Sequence, residues 1–273
     1  MPQSDSPRLP VELERQIVEL AAMGSLKSAA SLMLVSQRMR KWIEPILYSV
    51  FRLDGWGKPY PPCYATVKAR SGLNTTDNSP LEQYGQYILH LYIRGRSART
   101  VTKILRNCPH VENLMIWMVV GVDTMLVEVL EARPLKKLSI HAVDFLLLYD
   151  DQPPTRPLAL SVTHLDLMEV HDFGEGVNWQ TVVTLPNLTH LRLIGTPPVA
   201  LVQLFLSECR KLERLVVVWP RKMHAVEAPS SYAGDFAHIV DKRLAHVVST
   251  GRSSDLWKED FPAIRTIYDD DEQ

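Results

Sequence analysis

Residues 105–116 read LRNCPHVENLMI, and residues 206–217 read LSECRKLERLVV. Aligned, Leu105 falls on Leu206, Cys108 on Cys209 and Glu112 on Glu213. Each cysteine stands three residues before an apolar residue, Val111 or Leu212, that opens a fixed pattern: apolar, two variable, apolar, one variable, apolar. The pattern recurs as Ile88-Leu91-Ile93, Val111-Leu114-Ile116, Leu135-Leu138-Ile140, Val162-Leu165-Leu167, Leu188-Leu191-Leu193 and Leu212-Leu215-Val217. Ala132 takes the cysteine slot of the third copy, so the slot asks for a small residue that closes a helix.

The copies begin 23, 24, 27, 26 and 24 residues apart. That period allows one strand and one helix each, the spacing of leucine-rich repeats. Helical stretches lie between several copies, at Thr100–Arg106, Thr124–Ala132 and Val199–Glu208. Alternate strand residues must point to opposite faces. The chain is therefore expected to be mixed α/β, with an irregular leucine-rich-repeat solenoid around a curved parallel sheet over residues 87–273. The paired cysteines resemble the cysteine-containing leucine-rich repeats common in F-box proteins. The asparagine usual eight positions into such a repeat is replaced by Arg96, Val119, Val143, Val170, Thr196 and Pro220, so irregular repeats are expected. Residues 141–161 and 220–260 read as insertions, the second with a helix over Phe236–Val248, and Ile264-Ile267 reads as a weaker seventh copy.

The solenoid reading places a row of residues on the concave face: His90, Tyr92 and Arg94; Asn113, Met115 and Trp117; Lys137, Ser139 and His141; His164, Asp166 and Met168; His190, Arg192 and Ile194; Arg214, Val216 and Val218. His90, Tyr92, Arg94, Met115, Trp117, His141, His164, Asp166, His190 and Arg192 are the candidates for contacting a protein substrate, since aromatic residues and arginine anchor interfaces. His164 and His190 should lie about 5 Å apart on neighbouring strands. A metal would need two more ligands and only Asp166 is near, so no metal site is expected.

Residues 1–53 have a different texture. Pro10, Glu12 and Glu14 suit a helix start. Leu13, Ile17, Leu20 and Ala21 share a helical face, and Gly24 is a stop. Ser25 can cap a second helix through Val35, carrying Ala29, Leu32 and Met33 or Leu34 inward, and Ser36 a third carrying Met39, Trp42 and Ile43. Pro45 should end that helix near Glu44. Three helices in so short a stretch offer more apolar side chains than their small interior can hide.

LPVELERQIVELA followed by LVSQRMRKW resembles the F-box, through Leu9, Pro10, Glu12, Leu13, Ile17, Leu32, Val35, Ser36, Arg38 and Trp42; Ser36 stands where many members have cysteine. EPILYSVFRL is similar to the segment that follows the motif in many fungal members. The resemblance implies a module that docks on the SKP-type adaptor of an SCF-type cullin–RING ubiquitin ligase through Leu9, Pro10, Leu13, Ile17, Val35 and Trp42. The repeats would then bind an unidentified protein substrate. The alternative is a repeat scaffold that takes no part in ubiquitination. Residues 54–86, rich in Gly, Pro, Ser, Thr and Asn, read as a linker or an irregular first turn.

Bulk properties narrow the field. The 273 residues carry a net charge of −1, which gives no overall electrostatic attraction to nucleic acid. The longest apolar run, Asp144–Tyr149, is too short to span a bilayer. Three cysteines without a Cys-x-x-Cys argue for a reducing compartment, cytoplasm or nucleus. No phosphate loop, nucleophile elbow or zinc-binding helix motif occurs, so neither catalysis nor a cofactor is expected.

Overall fold

The computed structural model describes residues 9–24, 26–54, 79–149, 155–171, 177–220, 236 and 238–249. Over these residues it is a mixed α/β fold with an open sheet of eight parallel strands. Cys63, the candidate cap Ser25, most of the 54–86 stretch and the copy at Ile264-Ile267 lie outside the described residues.

Helices α1 (Val11–Gly24), α2 (Leu26–Met33) and α3 (Gln37–Leu47) pack on one another. Their shared interior is small: Val18, Ala22, Ala29 and Ile43, with Leu32, Met33, Met39, Trp42 and Leu47 partly buried around it. Small side chains let the axes approach closely. Leu13, Ile17 and Leu20 therefore lie on the other, exposed side of α1. Arg38 on α3 holds Glu14 on α1 at 2.6 Å, and Ser36 caps α3 by accepting the Met39 N–H.

α3 does not stop near Glu44. It continues through Pro45 to Leu47. Proline removes the N–H that would reach one turn back, but Tyr48 still donates to the Glu44 carbonyl at 3.0 Å and Ser49 to Ile46 at 3.3 Å. A proline in the last turn costs one bond and leaves the closing bonds intact.

The sheet begins two residues after the C-terminal cap of α3. Its strands are β1 (Val50–Asp54), β2 (His90–Arg94), β3 (Asn113–Trp117), β4 (Lys137–His141), β5 (His164–Val170), β6 (His190–Gly195), β7 (Arg214–Pro220) and β8 (Leu244–Ser249). They lie side by side in chain order. Between them run α4 (Ser79–Tyr84), α5 (Ala98–Asn107), α6 (Thr124–Glu131), α7 (Ala142–Tyr149), α8 (Pro157–Ser161), α9 (Gln180–Val183) and α10 (Val199–Glu208), with a 3-10 turn at Gly85–Tyr87. The expected helix over Phe236–Val248 is absent: β8 pairs in parallel with β7, Leu244 opposite Leu215. The expected insertion at 141–161 carries the last residue of β4 and the helices α7 and α8.

Every apolar residue of the six sequence copies is buried, from Ile88 to Val217. Together with Val101, Leu105, Leu126, Leu130, Phe145, Val202 and Phe205 from the helices, they form one core on the helix side of the sheet. At the six joints from β1–β2 to β6–β7 one main-chain carbonyl at the strand entrance accepts two N–H groups from the next repeat, whereas at β7–β8 Leu215 donates to the Arg243 carbonyl instead. Ser49 serves Leu89 and His90; Leu89 serves Glu112 and Asn113; Glu112 serves Lys136 and Lys137; Lys136 serves Thr163 and His164; Thr163 serves Thr189 and His190; Thr189 serves Glu213 and Arg214. This ladder keeps the entrance edge in register without any asparagine.

The exit edge is less regular. A bulge between Met168 and Val170 puts Glu169 at φ 54°. There Gly195, at φ 144°, comes so close to Val170 that a Cβ would strike its carbonyl oxygen. No helix among the described residues is long and apolar enough to cross a membrane.

Candidate functional site

Two surfaces have the chemistry of a site. The first is the outer side of the helical module. Leu13, Ile17 and Leu20 recur at helical spacing along α1 and are 47%, 55% and 70% exposed, continuing the line set by Leu9. Leu34 and Val35, between α2 and α3, are also exposed. Pro10 is exposed just before α1, and its carbonyl accepts the Glu14 N–H. Trp42 differs from these: it is half-buried against the module's own core, with the Arg38 guanidinium 5.3 Å from its ring.

The second surface is the face of the sheet away from the helices. All ten candidate residues of the repeats lie on strands β2–β6 at positions that share this face. They do not form one open surface. Tyr92, Met115, Trp117 and Met168 are buried, and with Val50, Ile194 and Val218 they make a second apolar cluster. Trp117 donates its indole N–H to Ser139, and Tyr92 lies 6.0 Å from the Trp117 ring with Arg52 over its own. Arg94 is half-buried beside them. His141 pairs with Glu169 at 3.2 Å at the exit edge. Near it, burial raises the Asp144 carboxyl above the usual carboxylate range, His141 opposing and Glu169 adding to the shift.

The entrance edge of the same face is polar. His90 accepts from the Asn113 amide at 2.7 Å, and burial holds its imidazole below the ordinary histidine value, Glu112 opposing. Further along, His164 and His190 stack, 4.3 Å between ring centroids and 7° from parallel. Each rests on the hydroxyl of the preceding threonine, Thr163 or Thr189, at 2.9 Å. Those hydroxyls donate to the carbonyls of Lys136 and Thr163. The oxygens therefore accept from Nδ1–H, which fixes the tautomer of both rings.

Between this row and the next sits Asp166, 4% exposed. Lys137 and Arg192 flank its Oδ2 at 3.5 and 3.6 Å, and the same oxygen makes no hydrogen bond among the described residues. A cavity of about 470 Å³ opens here, lined by these residues together with Asn113, Lys136, Leu191, Arg214 and Val216.

The sequence puts Lys137 and Arg214 on this face but does not mark them as contact residues. The repeated Thr-His-Leu of 163–165 and 189–191 was the signal that could have marked the polar edge. Among the described residues no group of three or more His, Cys, Asp or Glu is arranged to hold a metal ion.

Cys108 and Cys209 occupy equivalent positions closing α5 and α10. Burial pushes their thiols up to about 12 and about 11, with Arg133 and Arg243 acting the other way. Neither is a nucleophile at neutral pH. No protein-family model matches the chain, and no curated protein matches it significantly.

Proposed function

We propose that the chain is the substrate-recognition subunit of an SCF-type cullin–RING ubiquitin ligase, its helical module an F-box docked on an SKP-type adaptor and its strands the face that selects a protein substrate. One observation carries the reading. The residues that resemble the F-box motif are split between a core too small to need them all and an exposed apolar line, Leu9, Leu13 and Ile17, with Leu20 beside it. Burying a Leu or Ile side chain contributes about 1.5–3 kcal/mol, so this line is a strong site for a helical partner. The F-box resemblance names that partner.

On this reading the chain makes and breaks no bonds. It raises the effective concentration of substrate lysines near a charged ubiquitin-conjugating enzyme, a proximity effect. The polar entrance edge around Asp166 and the stacked histidines is the part of the strand face open to a substrate, because Tyr92, Met115 and Trp117 are already covered.

Co-expression with an SKP-type adaptor tests the proposal. A stable one-to-one complex that co-elutes with cullin is expected, and Ile17→Asp should abolish it. Recovery of a monodisperse chain with no adaptor bound would sink the ligase reading.

A further inference from the structure

Helix α5 is charged in a way that local rules disfavour. Its inner side carries Ala98, Val101, Ile104 and Leu105, all buried. Arg99, Lys103 and Arg106 follow one another at four and three residues, which sets them on one face of the helix. Arg99 and Arg106 are exposed, Lys103 is half-buried, and Arg96 stands half-buried just before the helix. Like charges at these spacings repel. Arg99 also lies in the first turn, where the helix dipole favours acids, and that turn contains none.

Nothing nearby relieves the repulsion. No Asp or Glu occurs between Glu82 and Glu112. Among the described residues, the side chains of Arg96, Arg99, Lys103 and Arg106 make no ion pair or hydrogen bond. Glu82 on α4 and Glu128 on α6, the two helices packed against α5, form no ion pair with this stripe among the described residues. Elsewhere the exposed cations Arg15, Arg38, Arg40 and Lys136 each hold a glutamate. A helix that breaks two local rules at once, with no compensating acid beside it, is where a ligand is to be sought.

Beside the stripe is an apolar group held by the backbone. The Val120 N–H donates to the Arg96 carbonyl at 3.1 Å, and the Val120 carbonyl accepts the Ala98 N–H at 2.9 Å. These bonds tie the loop after β3 to the start of α5 and leave Val120 73% exposed. An acidic protein segment fits both features. Along α5 the cations are separated by a rise of about 4.5–6 Å. Alternate side chains of an extended segment stand about 6.6 Å apart on one side. Carboxylates on alternate residues can therefore meet the cations in turn, with a neighbouring apolar side chain over Val120. A nucleic acid fits less well, because the net charge is −1 and four cations make few phosphate contacts. A membrane also fits less well, because the apolar side of α5 is already in the core.

We propose that the outer face of α5, with Arg96 and Val120 at its start, is a docking surface for an acidic segment of a partner protein, whose carboxylates pair with Arg96, Arg99, Lys103 and Arg106. This surface is on the helix side of the sheet, away from the strand face, and stands whether or not the helical module docks an adaptor.

The test uses the full chain, immobilised without adaptor. The probes are degenerate peptide pools that carry either glutamate or glutamine at alternate positions, single-stranded RNA, and vesicles containing phosphatidylserine. Retention of the glutamate pool about tenfold above the glutamine pool is expected, the size of several exposed ion pairs acting together. Added salt should weaken it. Arg99→Gln combined with Lys103→Gln should bring retention near the glutamine level, and Val120→Ser should lower it severalfold. Lys211→Gln, beyond the end of α10, should change nothing. Arg99→Glu should abolish retention yet raise the thermal midpoint by about 1–2 °C, since it removes repulsion and suits the dipole.

Equal retention of the two pools, retention of neither, or retention unaffected by these substitutions overturns the proposal. So does a midpoint lowered by Arg99→Glu, which would make Arg99 a support of the fold. Stronger binding of RNA or vesicles than of the glutamate pool overturns it as well. Adaptor capture is a separate measurement, so failure of the ligase reading and failure of this one remain distinguishable.

Discussion

Arg133 reaches back from the end of α6 and donates two hydrogen bonds to the carbonyl of Leu105, from Nη2 at 2.6 Å and from Nε at 3.2 Å. Arg243 does the same service for Leu206 at 2.6 Å, itself steadied by Asp241. The two acceptors are the leucines that align in the duplicated cysteine segments. Each helix that ends on a buried cysteine thus has its last turn tied by an arginine from the following unit. Arg133→Met keeps the stem and removes the donors. Urea unfolding should show a loss of about 1–3 kcal/mol, and Arg243→Met a loss of similar size. A change within error for both would mean the carbonyls are satisfied in another way.

The cysteines beside those arginines should be silent to thiol reagents. With burial holding Cys108 at about 12 and Cys209 at about 11, above the ordinary 9.0, the folded chain resists ionising them and the unfolded chain does not. Their contribution to stability is fully present below about pH 9 and is lost as pH rises through 11 and 12. In a Cys63→Ser background, a disulfide exchange reagent at pH 8 should label neither thiol until denaturant is added. Rapid labelling in the native state would overturn this.

Two glycines separate steric from conformational cost. Gly195 has φ 144° and no room for a Cβ against Val170, whereas Gly121 has φ 74° and open space around it. Gly195→Ala should cost about 3 kcal/mol or more, since the exit edge of β5 and β6 must separate. Gly121→Ala should cost only about 1 kcal/mol, the left-handed penalty alone. Equal thermal shifts for the two would contradict the close approach at Val170.

Asp166 holds two cations in a nearly closed setting. Asp166→Asn leaves Lys137 and Arg192 facing each other without the charge between them, and should cost about 3 kcal/mol. Adding Lys137→Met should restore part of that loss in a double-mutant cycle. Strict additivity would show that the pair at 3.5 Å contributes nothing.

On α1, adjacent residues should behave in opposite ways. Ile17 is 55% exposed and Val18 is 6% exposed. Ile17→Asp should leave the stability within about 0.5 kcal/mol of the parent, while Val18→Asp should unfold the module. The readout is helical circular dichroism on heating, before any partner is added.

The repeats were legible because two independent constraints, a period near 25 residues and the two-residue alternation of a strand, agree on the same residues. Ile88, Leu91 and Ile93 and their counterparts could hardly point anywhere but into the core. Around β8 the sequence points to a helix, because Phe236, Ile239, Val240, Leu244 and Val247 also fit helical spacing. What decides the matter is the open edge of β7, whose unpaired backbone groups gain more from a ninth-to-fourteenth-residue strand partner than local spacing reveals: Val216 pairs with Ala245 and Val218 with Val247.

On α1 both sides are apolar, so periodicity had no means of choosing. The choice rests on size, since Val18 and Ala22 pack where Ile17 and Leu20 would hold the helices apart. The alternate positions of the strands share one face. Which of them are covered depends on neighbours several strands away, and no single strand encodes that.

The carbonyl ladder at the strand entrances, from Ser49 to Thr189, is built of main-chain groups, with side-chain support only from the hydroxyls of Thr163 and Thr189 among the described residues. Architecture and specificity are thereby uncoupled. Arg214 stands beside a joint yet its side chain bears none of the load, so that part of the face can be rewritten for another ligand while the spine keeps its geometry. A lineage could diversify what such a protein grips without having to relearn how to fold.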